Sequence, residues 1–351
     1  MVSGAGNTGM GAALPNTVAA DLPAGLSLTQ ALRVVQAALQ AAECPDAAFD
    51  AADLLLLATG VQARLAPPER VLSAAEAVQL AAITARRVSR EPLQYIWGRW
   101  PFLNFELVVG SGVLCPRADT EIVVEYAAKC CQAALLKADV PSVQVLELCG
   151  GSGCIGLGIK MFCPTAQVTV LEKSLDALPY LRENAKHALD EIAAQQRAAA
   201  SVTMQASASA NLAARKPDAC GQPLLTSPYL NVVEGDLFAY HATLPDAAFD
   251  LLVSNPPYLT AQEMTALQPE VAQEPAMALA AGADGLDFYR AIATDYKRVV
   301  KQGGFLVLEI GCAQAADVMA LLSAAGWDEV TCRQDYGKND RCVIARCGAQ
   351  E

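Results

Sequence analysis

The sequence predicts an α/β protein preceded by a small all-helical segment. Three observations carry that expectation. From residue 143 onward, short apolar runs alternate with stretches of helical period, the pattern of a parallel sheet covered by helices. A glycine cluster, Gly150-Gly151-Ser152-Gly153, lies between the first of these runs and a helical stretch, where the chain must turn tightly. Residues 27–91 carry helical periodicity alone. At about 150 residues per domain, the 351 residues predict two domains plus tails.

Composition narrows the function classes. A chain that is 53% apolar and only 18% charged is not a disordered acidic protein. The net charge of −12, from 25 Lys and Arg against 37 Asp and Glu, argues against a broad basic footprint for duplex DNA or anionic lipid. The twelve cysteines include no Cys-x-x-Cys pair, and His187 and His241 stand at no ligand spacing from a cysteine pair, so no zinc site is expected. Scattered thiols in a chain of this size fit a reducing compartment. Residues 1–25 lack a basic start followed by an apolar stretch, and no uninterrupted apolar run of roughly 18 residues follows, so the expectation is a cytoplasmic protein off the membrane.

Residues 1–26, rich in Gly, Ala, Asn, Thr and Pro without period, read as a disordered tail. Leu32, Val35 and Leu39 then mark one helix face; residues 47–59 form a more buried helix closed by Gly60; Ser73 and Glu76 make a capping box ahead of a helix reaching about Arg90. Pro92 ends the helical domain, 27–91, and the aromatic and β-branched content of 94–109 places a β-hairpin connector within 92–114. In the α/β domain, 115–348, a helix is expected over 121–136, a strand over 143–149, a helix over 154–162 and a strand over 168–172. Further strands are expected at 230–233, 249–254 and 305–310, helices at 286–300 and 312–325, and a closing hairpin from 327–332 and 342–346. Between them, the Ala-, Ser- and Gln-rich residues 189–228 read as an insertion, partly helical at its start.

The glycine cluster marks a ligand site. Gly151 to Gly156 satisfies Gly-x-Gly-x-x-Gly between strand and helix, and Glu172 ends the next strand, where a carboxylate accepts hydrogen bonds from both hydroxyls of an adenosine ribose. Nicotinamide dinucleotides and S-adenosylmethionine both carry that ribose, so these features define a Rossmann-like nucleoside-cofactor site without choosing between the two. Asn255-Pro256-Pro257-Tyr258, directly after the strand 249–254, makes the choice. Two prolines hold the chain extended and leave the Pro256 carbonyl and the Asn255 side-chain oxygen as outward acceptors. That pair suits an NH2 group, with Tyr258 able to pack on its π face.

Here the sequence resembles the Asn-Pro-Pro-Tyr class of S-adenosylmethionine-dependent methyltransferases, which modify amide or exocyclic amine nitrogen. Glu91-Pro92-Leu93-Gln94-Tyr95-Ile96 with Gly98, Gly112-Val113-Leu114 and Pro116-Arg117-Ala118-Asp119-Thr120-Glu121 are similar to the connector of the release factor glutamine N5-methyltransferases, the HemK/PrmC family. Glu274-Pro275, Ala278-Leu279, Asp284-Gly285-Leu286-Asp287-Phe288-Tyr289-Arg290, Gly303-Gly304-Phe305 and Leu308-Glu309-Ile310-Gly311 extend the likeness.

The resemblance implies a seven-stranded methyltransferase domain and a helical substrate-recognition domain. It also implies methylation of the glutamine side-chain amide in the Gly-Gly-Gln motif of peptide chain release factors; a monomer is the default expectation, and the net charge of −12 argues against direct DNA binding. The implied cofactor residues are Cys149, Gly150, Gly151, Ser152, Gly153, Glu172, Leu237 and Asn255; the implied catalytic and substrate clamp is Asn255, Pro256, Pro257 and Tyr258. Glu147-Leu148-Cys149-Gly150 departs from the family's usual Asp-Leu-Gly-Thr, Glu172 stands where Asp is commonest, and Leu237 replaces a larger residue of some members. Three alternatives stay open: a ribosomal protein glutamine methyltransferase, a DNA adenine methyltransferase, which the acidic balance disfavours, and a catalytically silent partner-binding protein, to which Cys149 points.

Overall fold

The chain divides between Trp97 and Gly98 into two units. The computed structural model describes residues 22–138, 142–209 and 230–348. Most of the expected tail, 1–21, and most of the later part of the expected insertion, 210–228, lie outside the described residues.

In the first unit, α1 (Leu28–Ala41), α2 (Ala47–Thr59) and α3 (Ala74–Val88) precede a short α4 (Leu93–Trp97). Capping boxes start both α1, from Ser27 and Gln30, and α3, from Ser73 and Glu76. Gly60, at φ +69°, closes α2. Val35 and Leu39 are buried on α1 as the spacing predicts, but Leu32 is only half-buried, and Leu28, Ala31 and Ala38 complete the face. Arg87 on α3 is buried because it pairs with buried Asp50 on α2 at 2.7 Å. Gly25 and Leu26, at the end of the expected tail, do not behave as tail: Gly25 N donates to the Leu72 carbonyl and Leu72 N to that of Leu26. The expected hairpin segment begins as α4, since Pro92 starts a helical turn rather than an extended one.

The second unit opens with a hairpin, β1 (Arg99–Phe102) and β2 (Phe105–Val108). It continues as α5 (Thr120–Ala138), β3 (Gln144–Leu148), α6 (Cys154–Phe162), β4 (Gln167–Glu172), α7 (Leu178–Ser209), β5 (Asn231–Glu234), α8 (Leu237–Tyr240) and β6 (Phe249–Ser254). It ends with α9 (Asp287–Asp295), β7 (Val300–Glu309), α10 (Ala315–Ala324), β8 (Trp327–Gln334) and β9 (Asp340–Cys347). The main sheet has seven strands in the order β5-β4-β3-β6-β7-β9-β8, parallel through β7 and antiparallel at β9 and β8.

Both faces of the sheet are covered, which explains why its strands read as apolar runs rather than alternating ones. Val145, Val170, Val253 and Val307 face α5, α6 and α7 through Val123, Ile159 and Leu181. Leu146, Leu171, Leu252 and Leu308 face α9 and α10 through Tyr289, Ile292 and Leu322.

Two expectations shift. β7 starts five residues earlier than the apolar run, because Gly303 and Gly304 form an irregularity inside the strand rather than a turn before it. Gly303 has φ +74°, and a Cβ on Gly304 would lie 2.9 Å from the Asp250 carbonyl. The boundary at residue 189 falls inside α7, whose Leu189 and Ile192 are buried in the core.

Candidate active site

The strand order reverses between β3 and β6: one branch runs outward through β4 and β5, the other through β7. In open parallel sheets, ligands bind at such a reversal, outside the carboxyl ends of the strands. A cleft lies there, with an open volume of about 1040 Å³ including the solvent at its mouth.

The glycine loop forms its floor. Gly150 N donates to the Leu171 carbonyl at 2.9 Å, pinning the loop to β4, and a Cβ on Gly150 would meet Val170 Cγ1 at 2.2 Å. Gly151 and Gly153 take φ values of +53° and +81°, which glycine adopts freely. Cys149 also sits in the left-handed region, at φ +58°, although it carries a side chain. That backbone geometry costs on the order of 1–3 kcal/mol for a residue other than glycine. Burial pushes its thiol well above the usual range. Asn184 on α7 braces the loop: its Nδ2 donates to the Ser152 and Val108 carbonyls at 3.0 and 3.1 Å, and its Oδ1 accepts from Val108 N.

Glu172 ends β4 and is 8% exposed. Its Oε2 accepts from Gly151 N at 2.7 Å and its Oε1 from Ser174 N at 2.6 Å, so the carboxylate is fixed beside the loop. Two of its roughly four acceptor directions are used, and two remain for a ligand. Glu147, where the family usually has Asp, accepts from Gly156 N at 2.8 Å and is held up to about 8 by burial. The extra methylene fits because residue 156 is glycine: a Cβ there would lie 2.5 Å from Glu147 Oε2. Farther along the wall, Asp236 caps α8 and pairs with Lys173 at 2.7 Å, which holds its carboxyl below the usual range. Leu237 is buried, whereas Phe238 is half-exposed and meets Phe288 with ring centroids 5.1 Å apart.

Of the Asn-Pro-Pro-Tyr residues, Asn255 and Pro257 line the cleft together with Cys149, Gly150, Gly151, Ser152, Glu172 and Leu237. Gly153, Pro256 and Tyr258 are not among its walls: Gly153 caps α6 behind the loop, and Pro256 is buried. Tyr258 is half-buried, its phenol pushed up to about 12 by burial, and its carbonyl accepts from Gln314 Nε2 at 3.0 Å. The turn after Asn255 is further held by the bridge between Leu259 and Ala280.

Sequence reasoning left the opposite rim without a role. Arg117 donates to both oxygens of Glu274 at 2.8 Å, tying the turn before α5 to the segment that carries Pro275 and Met277. No local spacing signals a pair so far apart in the chain. Asn184 and Asp236 escape notice for the same reason, since each is an ordinary polar residue until the sheet brings its partner close.

A reversal-point cleft floored by a glycine loop, with an acid at the end of β4 and Asn-Pro-Pro-Tyr after β6, defines a methyltransferase of Rossmann-like fold. Comparisons with known proteins agree. A family model for the PrmC N-terminal domain matches residues 30–98. The release factor glutamine methyltransferase of Geobacter sulfurreducens is 35% identical over 281 residues, covering 80% of this chain and 82% of that protein. That of Caulobacter vibrioides is 33% identical, covering 91% and 96%. The chain belongs to the release factor glutamine methyltransferase family. Among solved structures, a release factor-specific protein-(glutamine-N5) methyltransferase from Alicyclobacillus acidocaldarius is 23% identical, covering 69% of this chain and 99% of that one, with a TM-score of 0.34.

Proposed function

We propose that this protein methylates the side-chain amide nitrogen, N5, of the glutamine in the Gly-Gly-Gln motif of peptide chain release factors, using S-adenosyl-L-methionine. The observation that carries the reading is the shared cleft: Asn255, an amide acceptor, and Glu172, a ribose acceptor, line one cavity across the reversal point. The residues fit the cofactor. Glu172 is preorganised by two backbone N–H groups and keeps acceptor capacity, Gly151 leaves the floor open, and Leu237 and Phe238 supply apolar wall for an adenine ring.

An amide nitrogen is a poor nucleophile because its lone pair is delocalised into the carbonyl. S-adenosyl-L-methionine supplies a methyl group already activated on a sulfonium. The protein's part is placement: the Asn255 side-chain oxygen on the cleft wall accepts one amide proton and turns the nitrogen toward the methyl, and this reading gives the second proton to the Pro256 carbonyl and the amide plane to Tyr258, which stand beside that wall rather than in it. Orientation of this kind contributes about 7–11 kcal/mol in well-aligned systems. Proton loss follows transfer, when the nitrogen is strongly acidic, so the reading requires no histidine base.

In this reading the helical unit recognises the release factor, and the enzyme works as a cytoplasmic monomer. The family relationship and the acidic charge favour a protein substrate over DNA. Incubating the protein with methyl-labelled cofactor and, separately, release factor, ribosomes or duplex DNA tests the assignment. Label in release factor alone is expected; label in ribosomal protein alone transfers the activity to that substrate, and label in neither protein rejects it.

A further inference from the structure

The carboxyl end of β7 holds a group that the mechanism above does not use. Glu309 is 1% exposed, and its Oε2 is one of three buried side-chain atoms without a hydrogen-bond partner among the described residues. A buried acceptor left unmatched is costly, which marks this oxygen for explanation. The sheet register supplies one. Val253 on β6 pairs with Val307 on β7, and Ser254 with Leu308, so Glu309, the last residue of β7, stands beside the point where Asn255 leaves the end of β6. Val253 and Val307 both face α5 and α6, and by strand alternation Glu309 belongs to that same face, while Asn255, one residue past β6, lines the cleft. Thr120, which lines the cleft, lies against the Glu309 carboxyl, placing the acid just behind the cleft wall.

An asparagine amide is ambiguous: either its oxygen or its NH2 can face a ligand, and its neighbours decide which. The proposed chemistry requires the oxygen of Asn255 to face the substrate amide. We propose that Glu309 is the positioning residue that sets this orientation: its Oε2, the acceptor left unfilled in this structure, takes a hydrogen bond from Asn255 Nδ2, so that Asn255 Oδ1 is left for the cleft. An ionised carboxylate has no proton to donate, so it can face only the NH2 end of the asparagine. A protonated carboxyl also donates and stabilises the opposite orientation. The inference rests on the assignment of Asn255 as the amide acceptor.

The surroundings make this device sensitive to pH. Burial holds the Glu309 carboxyl up to about 7. The charged groups facing it are Arg341 on β9 and Arg117 and Asp119 ahead of α5. Arg341 is shared with Asp119 at 3.1 Å and with Asp335 at 3.2 Å, so it does not fully compensate Glu309. The other titratable neighbours, Tyr258, Tyr289, Cys154 and Cys342, are all shifted upward by burial and are neutral near pH 7. Methyl transfer is therefore expected to rise as pH passes through the Glu309 titration.

The test pairs spectroscopy with kinetics on the full-length protein. The 15N-labelled side-chain NH2 signals of Asn255, assigned by their loss in Asn255→Ala, are followed against pH in the wild type and in Glu309→Gln. A shift of these signals near pH 7 in the wild type, absent in Glu309→Gln, is expected; signals that do not move overturn the proposal, and once the signals are assigned the wild-type titration does not depend on the identity of the substrate. In turnover, Glu309→Gln is expected to lower kcat roughly tenfold to a hundredfold, the scale of a hydrogen bond to a charged group, and to flatten the acidic limb of the pH profile. KM and cofactor affinity should stay unchanged. Wild-type kcat with an unaltered pH profile in Glu309→Gln overturns the proposal while leaving the release factor assignment standing. Failure of the wild type to methylate release factor rejects that assignment, and the amide titration still decides the role of Glu309.

Discussion

Asn255 and Glu172 divide the proposed work between substrate and cofactor, and substitutions should separate the two. Asn255→Ala removes the proposed acceptor for the substrate amide but leaves the glycine loop and Glu172 in place. It is expected to lower kcat by at least a hundredfold, the scale of losing one preorganised polar contact in a transition state. Cofactor affinity measured by calorimetry should stay near the wild-type value. Glu172→Ala removes the proposed ribose acceptor and also frees Gly151 N and Ser174 N. It should weaken cofactor binding by at least tenfold, about 1.4 kcal/mol, with an unchanged dissociation constant removing Glu172 from the site.

The sequence singles out both residues because Glu172 ends, and Asn255 follows, a strand whose apolar run is unmistakable, and the structure brings the two to one cleft. Cys149 was legible as a departure but not as a tolerated one. Only its backbone at φ +58° shows that the loop keeps the conformation a glycine would adopt, with the thiol carried as an added group.

At the level of elements, the junction of β3 and α6 shows how a substitution is absorbed. Glu147 reaches farther than an aspartate, and Gly156 provides the space. Gly156→Ala should therefore lower stability by about 1–3 kcal/mol, the usual cost of overpacking, despite alanine's better helix propensity. Combining it with Glu147→Asp, which draws the carboxylate back by one methylene, should recover most of that loss. Thermal unfolding of the two single variants and the double variant checks the coupling, and additive losses would contradict it.

Elements with clear punctuation were read well: Gly60 closes α2 and Ser73 opens α3 where the sequence places them. The start of β7 was misplaced because Gly303 and Gly304 carry a turn signal that the neighbouring strand overrides. The end of the core on α7 was misplaced for a related reason. The Ala- and Gln-rich composition after residue 188 hides Leu189 and Ile192, whose burial depends on the sheet they meet.

For the whole molecule, two buried carboxyls near the cleft tie stability to pH. Glu147 and Glu309 are held at about 8 and about 7, against an ordinary value of 4.5, and burial is the leading cause for both. The folded state holds their protons more tightly than the unfolded chain. Their contribution is complete below about 4.5 and is lost as pH rises through about 7 to 8. Denaturant titrations of the full-length protein should show stability falling across that interval, and Glu147→Gln with Glu309→Gln should reduce the slope. A slope unchanged in the double variant would place its origin elsewhere. At lower pH the opposite trend enters from Asp236 and Asp335, whose carboxyls are held below the usual range by Lys173 and by Asn339 N–H respectively.

The division into a helical unit and an α/β unit, and the order of strands that creates the cleft, unite these scales in one claim: the cleft delivers a methyl group to a glutamine amide. Peptide mass spectrometry of release factor after incubation with the protein and S-adenosyl-L-methionine tests it most directly. One methyl group on the side chain of the Gly-Gly-Gln glutamine, absent when that glutamine is replaced by glutamate, is the predicted result. An unmodified glutamine, or a methyl group on any other residue of the release factor, would contradict it.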